Sequence, residues 1–281
     1  MPMTQLARAT CCAAFIVVLT AIGTTGEARA TSAPSGSAAG APPAPGGISP
    51  GTGNADCAAA AAREDARAAR SACAPGRAAG NAVDGYNLAL ALWPTAPDEA
   101  RELLQSSADA GLAEAAHLLG NMALDEGDAQ RGLAQLEAAA QAGLALAQFD
   151  YATALLERDA QGDRAEAVRW YGRAAAGGEN AARYNLAVLM LGGRLGATRA
   201  LQAWAWLSSL DPLESHAEVQ RLASELAGQM NAPERSRAAA LLQAVRDDPV
   251  SAAEALAREV ADAAGSEGRG DDGARSPAQS S

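Results

Sequence analysis

The chain has 281 residues, with 22 basic and 33 acidic side chains and a formal charge of −11. An acidic chain repels phosphate, which argues against nucleic acid and anionic membrane surfaces as partners. All the basic residues are Arg, and only four Trp, four Tyr and two Phe are present, so a core of Ala, Leu and Val calls for closely approaching helices rather than a sheet with bulky filling.

The N-terminus reads as a targeting segment. Arg8 supplies a basic start, Cys11 to Gly23 is an apolar run, and Ala28-Arg29-Ala30 offers a small-x-small cleavage site, so residues 1–30 are expected to be a signal peptide removed after Ala30. The run falls short of the roughly 20 apolar residues of a membrane span; a retained anchor is the alternative. Cys11 and Cys12 open the run instead of following it, so they form no lipoprotein cleavage site. The mature chain is expected to be periplasmic or secreted. Residues 31–55, rich in Pro, Gly, Ala and Ser, read as a disordered linker.

The stretch 56–79 is expected to form an N-terminal helix. It holds Cys57 and Cys73, the mature chain's two cysteines, and an even number in an oxidising compartment suggests a bridge. The intervening AAAAAREDARAARSA contains no Gly or Pro, and a continuous helix would hold the two about 24 Å apart, beyond the roughly 7 Å Cα limit of a disulfide. Either the helix is broken or the two cysteines do not pair with each other; the lack of a breaker favours an unbroken helix, with the thiols paired between molecules or left free.

From residue 80 the chain repeats itself. YNLA occurs at Tyr86 and again at Tyr184, and segments aligned on Gly80, Gly111, Gly143 and Gly178 follow at steps of 31, 32 and 35 residues, the spacing of stacked helical hairpins. Second helices read DEARELLQSSADAG, DAQRGLAQLEAAAQAG and DRAEAVRWYGRAAAGG. Asp98, Asp128 and Asp163 are expected as N-caps, and each closing Gly as the left-handed residue that ends a helix.

The first helices share three packing columns: Tyr86, His117, Phe149 and Tyr184; then Leu88, Leu119, Tyr151 and Leu186; then the small residues Ala89, Gly120, Ala152 and Ala187. Rings fill gaps between pairs, and small residues let helices approach. Leu103, Gln135, Trp170 and Trp206 form a second-helix column. His117, standing where other copies carry a ring, reads as packing rather than chemistry.

At these residues the chain resembles the Sel1-like repeat family, relatives of the tetratricopeptide repeats. AGLAEAAHLLG (Ala110 to Gly120) and DRAEAVRWYGRAAAGG (Asp163 to Gly178) carry the family pattern, and YNLAVLMLGG with ATRALQAWAWLSSL looks like a terminal copy. The match runs from residue 80 to 210. Gly132 stands where Ala is usual, and Leu88-Ala89 replaces a Leu-Gly pair. The resemblance implies an all-α fold, a right-handed α-solenoid of helical hairpins. Past the match, Asp211-Pro212, Asn231-Ala232-Pro233 and Asp248-Pro249 punctuate further helices, so 211–264 read as C-terminal capping helices over the last repeat's open face. Residues 265–281 read as a disordered tail, whose Arg269-Gly270-Asp271 is what such a composition supplies by chance.

No nucleophile–base motif, metal-ligand spacing or phosphate loop occurs in the sequence, so neither catalysis nor a cofactor or metal is expected. His216, near Glu214 and Glu218, reads as a solvated helix residue. The resemblance implies a scaffold or adaptor holding a protein or peptide on the concave side formed by first helices. Asn87, Asn121, Gln148, Asp150, Arg183 and Asn185 are the expected partner-binding residues there, since amides and carboxylates pair with an extended backbone. The alternative is a peptidoglycan- or β-lactam-associated envelope protein with weak hydrolase activity. Cysteine-rich family members have been linked to the β-lactam role, whereas residues 80–210 hold no cysteine; the sugar reading needs an exposed Trp93 or Trp204.

Overall fold

The computed structural model describes residues 53–195, 199–210 and 217–267. The expected signal segment, residues 31–52 of the expected linker, the stretch 211–216 with Glu214 and His216, and residues 268–281 of the expected tail lie outside the described residues. The linker's last two residues instead start a helix, with Asn54 as the cap and Ala55 as the first residue. Residues 265–267 of the expected tail continue the last helix, because a single Gly, here Gly265, weakens a helix without ending it. Within them are thirteen helices and no strand, an all-α helical-repeat architecture. The chain forms two compact units, 1–128 and 129–281.

The first unit contains α1 (Ala55–Ala62), α2 (Ala66–Ala78), α3 (Ala82–Leu92), α4 (Pro97–Asp109) and α5 (Ala113–Asp125). The expected single N-terminal helix is two. Glu64 takes a positive φ of 54°, and the Asp65 side chain accepts from the Ala68 N–H and so starts a second helix. The turn brings Cys57 and Cys73 together with Cα atoms 4.7 Å apart, and they form a disulfide. The Glu-Asp pair breaks the helix without Gly or Pro: an Asp that caps offers the backbone an alternative to continuing. Both cysteines are fully buried, and α1 and α2 pack on α3.

Hairpin joints in both units are built alike. Gly80, Gly111, Gly143 and Gly178 have φ between 78° and 93°. Around each, two backbone bonds close the preceding helix, as in Gly178 N–H to Ala175 O and Glu179 N–H to Ala174 O. This is the Schellman arrangement, in which a left-handed residue satisfies the last free carbonyls, and the expected role of these glycines holds.

The second unit contains α6 (Ala129–Gln141), α7 (Ala145–Arg158), α8 (Asp163–Ala176), α9 (Asn180–Leu191), α10 (Ala200–Ser208), α11 (Ala217–Gln229), α12 (Ala232–Asp247) and α13 (Pro249–Glu267). Helices α6 to α10 pack consecutively, and α11 and α12 both lie on α10. The last helix touches this end through Glu259, which accepts from Arg199 and Gln202, but its main packing is elsewhere. Helix α13 folds back along α8. Gly172 of α8 makes room there, since a Cβ at that position would overlap Ala253. Ala253, Leu256, Ala257 and Val260 are buried in this contact.

The packing columns carry the core. Leu88, Leu119, Tyr151 and Leu186 are buried, as are Ala89, Ala152 and Ala187 and Gly120. In the ring column Tyr86 and Tyr184 are buried, while Phe149 and His117 are half-buried. Among the second-helix residues Leu103, Trp170 and Trp206 are buried and Gln135 is half-buried.

The capping expectation needs correction at two of three aspartates. Helix α4 begins at Pro97 after Ala96, with Asp98 inside its first turn, because proline's fixed φ suits a first helical position. Helix α8 begins at Asp163 itself after Gly162. The Asp163 carboxylate turns back to accept from Ala160 N–H and from Arg158. These bonds, above all the Arg158 one, hold its pKa below the ordinary value.

Candidate functional site

The six residues expected to meet a partner have different fates. Asn87 and Gln148 are buried, so neither is offered to a partner from the described surface; Asn121, Asp150, Arg183 and Asn185 are half-buried. Asn121 on α5 meets His117 through its side-chain amide, 3.1 Å from Nε2.

Gln148 and Arg183 hold equivalent positions, each five residues past a hairpin glycine, and they do equivalent work. Gln148 Nε2 donates to Ala140 O at 3.1 Å, and Arg183 Nη2 donates to Ala175 O at 2.8 Å. Each carbonyl also accepts from the glycine N–H of its joint. The two side chains therefore clasp a first helix to the end of the helix before it. Sequence columns could not show this, because the acceptor is a backbone atom. Burial pushes the Arg183 pKa down.

Asp150 and Asn185 are brought near a shared feature that the sequence did not single out, the hydroxyl of Tyr171 on α8. Asn185 Nδ2 lies 3.3 Å from Tyr171 Oη, and Thr153 Oγ1 lies 2.9 Å from it. Thr153 has one proton, and Oγ1 also sits 3.1 Å from Phe149 O, an atom that can only accept. Proton bookkeeping then sets the direction: Asn185 donates to Tyr171, Tyr171 to Thr153, and Thr153 to the Phe149 carbonyl. The Tyr171 ring packs 5.6 Å from Phe149.

One buried phenol thus ties together first helices from two successive hairpins, α7 and α9. Burial raises the Tyr171 pKa, its bonds to Thr153 and Asn185 offset part of that rise, Asp150 adds to it and Arg194 opposes it. The face presents the Asp150 carboxyl group, the amide of Asn185 and an exposed Arg194 around the Tyr171 hydroxyl. Such a set can hydrogen-bond and orient a polar chain. Tyr171 belongs to the WY pair of DRAEAVRWYGRAAAGG, the one signal in the sequence that could have marked it.

The tryptophans are committed to packing in varying degree. Trp170 and Trp206 are buried. Trp170 donates to Glu166, meets Tyr151 edge-on and carries the Arg173 guanidinium 4.3 Å over its ring. Trp93 and Trp204 are half-buried. Among the described residues no group of three or more His, Cys, Asp or Glu could hold a metal ion, and no helix is long and apolar enough to cross a membrane.

No family model matches the sequence, and no curated protein matches it. Among solved structures the chain is similar to a protective antigen present in uropathogenic Escherichia coli strains that displays an SLR fold, the fold of Sel1-like repeats. The likeness has a TM-score of 0.54 at 23% identity and covers 68% of this chain and 43% of that one. This chain therefore shares the Sel1-like repeat fold and spans less than half of that protein's length.

Proposed function

We propose that this Sel1-like repeat chain is an exported, non-catalytic scaffold that holds a segment of another protein against the α7–α9 face. The observation that carries the reading is the convergence of Thr153 and Asn185 on the Tyr171 hydroxyl. With one amide hydrogen bound there, Asn185 keeps a second donor and a carbonyl acceptor, the pair that matches a peptide unit's C=O and N–H. Asp150 and Arg194 flank it with opposite charges, which set the direction and register of a bound chain more than its affinity.

Export to the periplasm or beyond is supported by the signal-like first thirty residues and by the Cys57–Cys73 disulfide, a bond that persists in oxidising compartments. The test uses the mature chain with a photo-crosslinking residue at Val188, one turn from Asn185. Crosslinks to a discrete envelope protein should appear and fall at least fivefold with Asp150→Ala and Asn185→Ala combined. Equal crosslinking by both versions would remove the proposed face. N-terminal mass spectrometry of the exported protein should begin at Thr31; a retained residue 1 would refute signal cleavage.

A further inference from the structure

An open groove on the C-terminal helices shares no residue with the α7–α9 face. Helices α11 and α12 both pack on α10, and over the first turn of α10 they border an open groove of about 800 Å³, inside the roughly 300–1,000 Å³ range of ligand clefts. Leu201 forms part of its floor. One wall carries Leu226 and Met230, and the other Arg237 and Leu241. Arg237 and Leu241 are spaced i, i+4 and so lie on the same side of α12, while Leu226 lies on α11 and Met230 directly follows its last residue, Gln229. Met230 is buried, Leu201, Leu226 and Leu241 are half-buried, and Arg237 is exposed.

The charges at this groove are unequal in their freedom. The Glu234 carboxylate accepts from the Asn231 N–H in a capping box, so it is engaged in starting α12. Arg237 makes no hydrogen bond or ion pair among the described residues. A trough of leucines and a methionine among polar side chains, with one guanidinium on its wall that has no partner among the described residues, fits an amphipathic segment that carries an acid beside its apolar side chains.

We infer that this groove docks an amphipathic helical segment of a partner protein, with two leucine-sized side chains one turn apart and a carboxylate against Arg237. The chain's own tail from residue 268 reads GRGDDGARSPAQSS, and it has no apolar side chain of leucine size. A second copy would have to fill a trough with a trough, since two-fold pairing sets the same patch against itself. The net charge of −11 does not forbid an acidic ligand, because charges beyond about 8 Å are largely screened at physiological salt.

The test measures fluorescence anisotropy of two labelled, helix-forming peptides on the full mature chain. One has Leu pairs at i, i+4 flanked by Glu; the other has Lys in place of Glu. The acidic probe should saturate wild type, lose at least tenfold in affinity on Arg237→Glu, and weaken as salt is raised. The Lys probe should prefer Arg237→Glu by a similar factor, a reversal that misfolding cannot produce. Leu241→Gln, with unchanged circular dichroism, should weaken both probes. The proposal is overturned by no saturable binding, by equal affinity of wild type and Arg237→Glu, or by a concentration-dependent dimer that excludes the probe. Loss of binding on Asp150→Ala with Asn185→Ala, in place of Arg237→Glu, would also overturn it and assign the probe to the other face.

Discussion

Gly76 holds its place because the Asp84 carboxylate lies against its Cα, where any Cβ would overlap Oδ2. Asp84 is almost wholly buried; Oδ1 accepts from the Asn54 N–H at 2.8 Å, and Oδ2 has no hydrogen-bond partner. Gly76→Ala is therefore expected to cost about 1–3 kcal/mol, the usual scale of overpacking. In an Asp84→Ala background the nearest atom becomes the residue-84 Cβ at 3.2 Å, so the penalty should shrink. Additive urea-unfolding energies across this double-mutant cycle would refute the clash. Tyr86 gives a pH signature. Burial, with a smaller push from Glu114, raises its pKa to about 12, above the unfolded value of about 10. A raised folded pKa contributes stability that is complete below the unfolded value and lost as pH climbs through the folded one. Unfolding free energy should thus fall between about pH 10 and 12, and Tyr86→Phe should flatten that fall. An identical alkaline slope in the variant would exclude Tyr86 as its source.

Among the helices, the α1–α2 pair shows how a side-chain cap outweighs a run of good helix formers. Nine Ala in the AAAAAREDARAARSA stretch favour continuing, yet Asp65 caps a new helix and the two cysteines close over the break. Loop-closure entropy assigns a disulfide of sequence separation 16 about 3 kcal/mol. Cys57→Ser with Cys73→Ser should lower the unfolding free energy of the first unit by roughly that amount. Hydrogen exchange in α1–α3 should quicken as well, and unchanged protection there would show the bond to be idle. Joints were easier to read than caps. A closing Gly signals a left-handed residue whatever surrounds it, and all four hairpin glycines take that conformation. An Asp near a helix start can instead occupy the first turn, as Asp98 and Asp163 do, because Pro97 and Gly162 settle where those helices begin.

In the second unit, the largest departure from a simple repeat array is α13, which returns along α8 and meets α10 through Glu259. It buries Leu256 and Val260, worth about 3–6 kcal/mol together, and it sets Glu254 3.3 Å from Arg169. A chain ending at Asp248 is expected to lose amide protection in α8 and to melt earlier in that unit. Full protection of α8 in the truncated chain would mean that the contact contributes nothing to stability.

The repeat period, helix pairing and packing columns could be read from the chain because each depends on local spacing: residues three and four apart share a helix face, and a glycine ends a helix without help from distant atoms. The candidate face was legible only in part. Asp150 and Asn185 stood in the right columns, but Asn87 and Gln148 are buried, and the tyrosine that joins α7 to α9 lies on a different helix from either residue it binds. Gln148 and Arg183 bond to backbone carbonyls, which carry no letter in the sequence. The fold-back of α13 rests on the space above Gly172, and the disulfide on a turn centred at Glu64. Such features depend on which surfaces meet in three dimensions, and a pattern of spacings along one chain does not contain them.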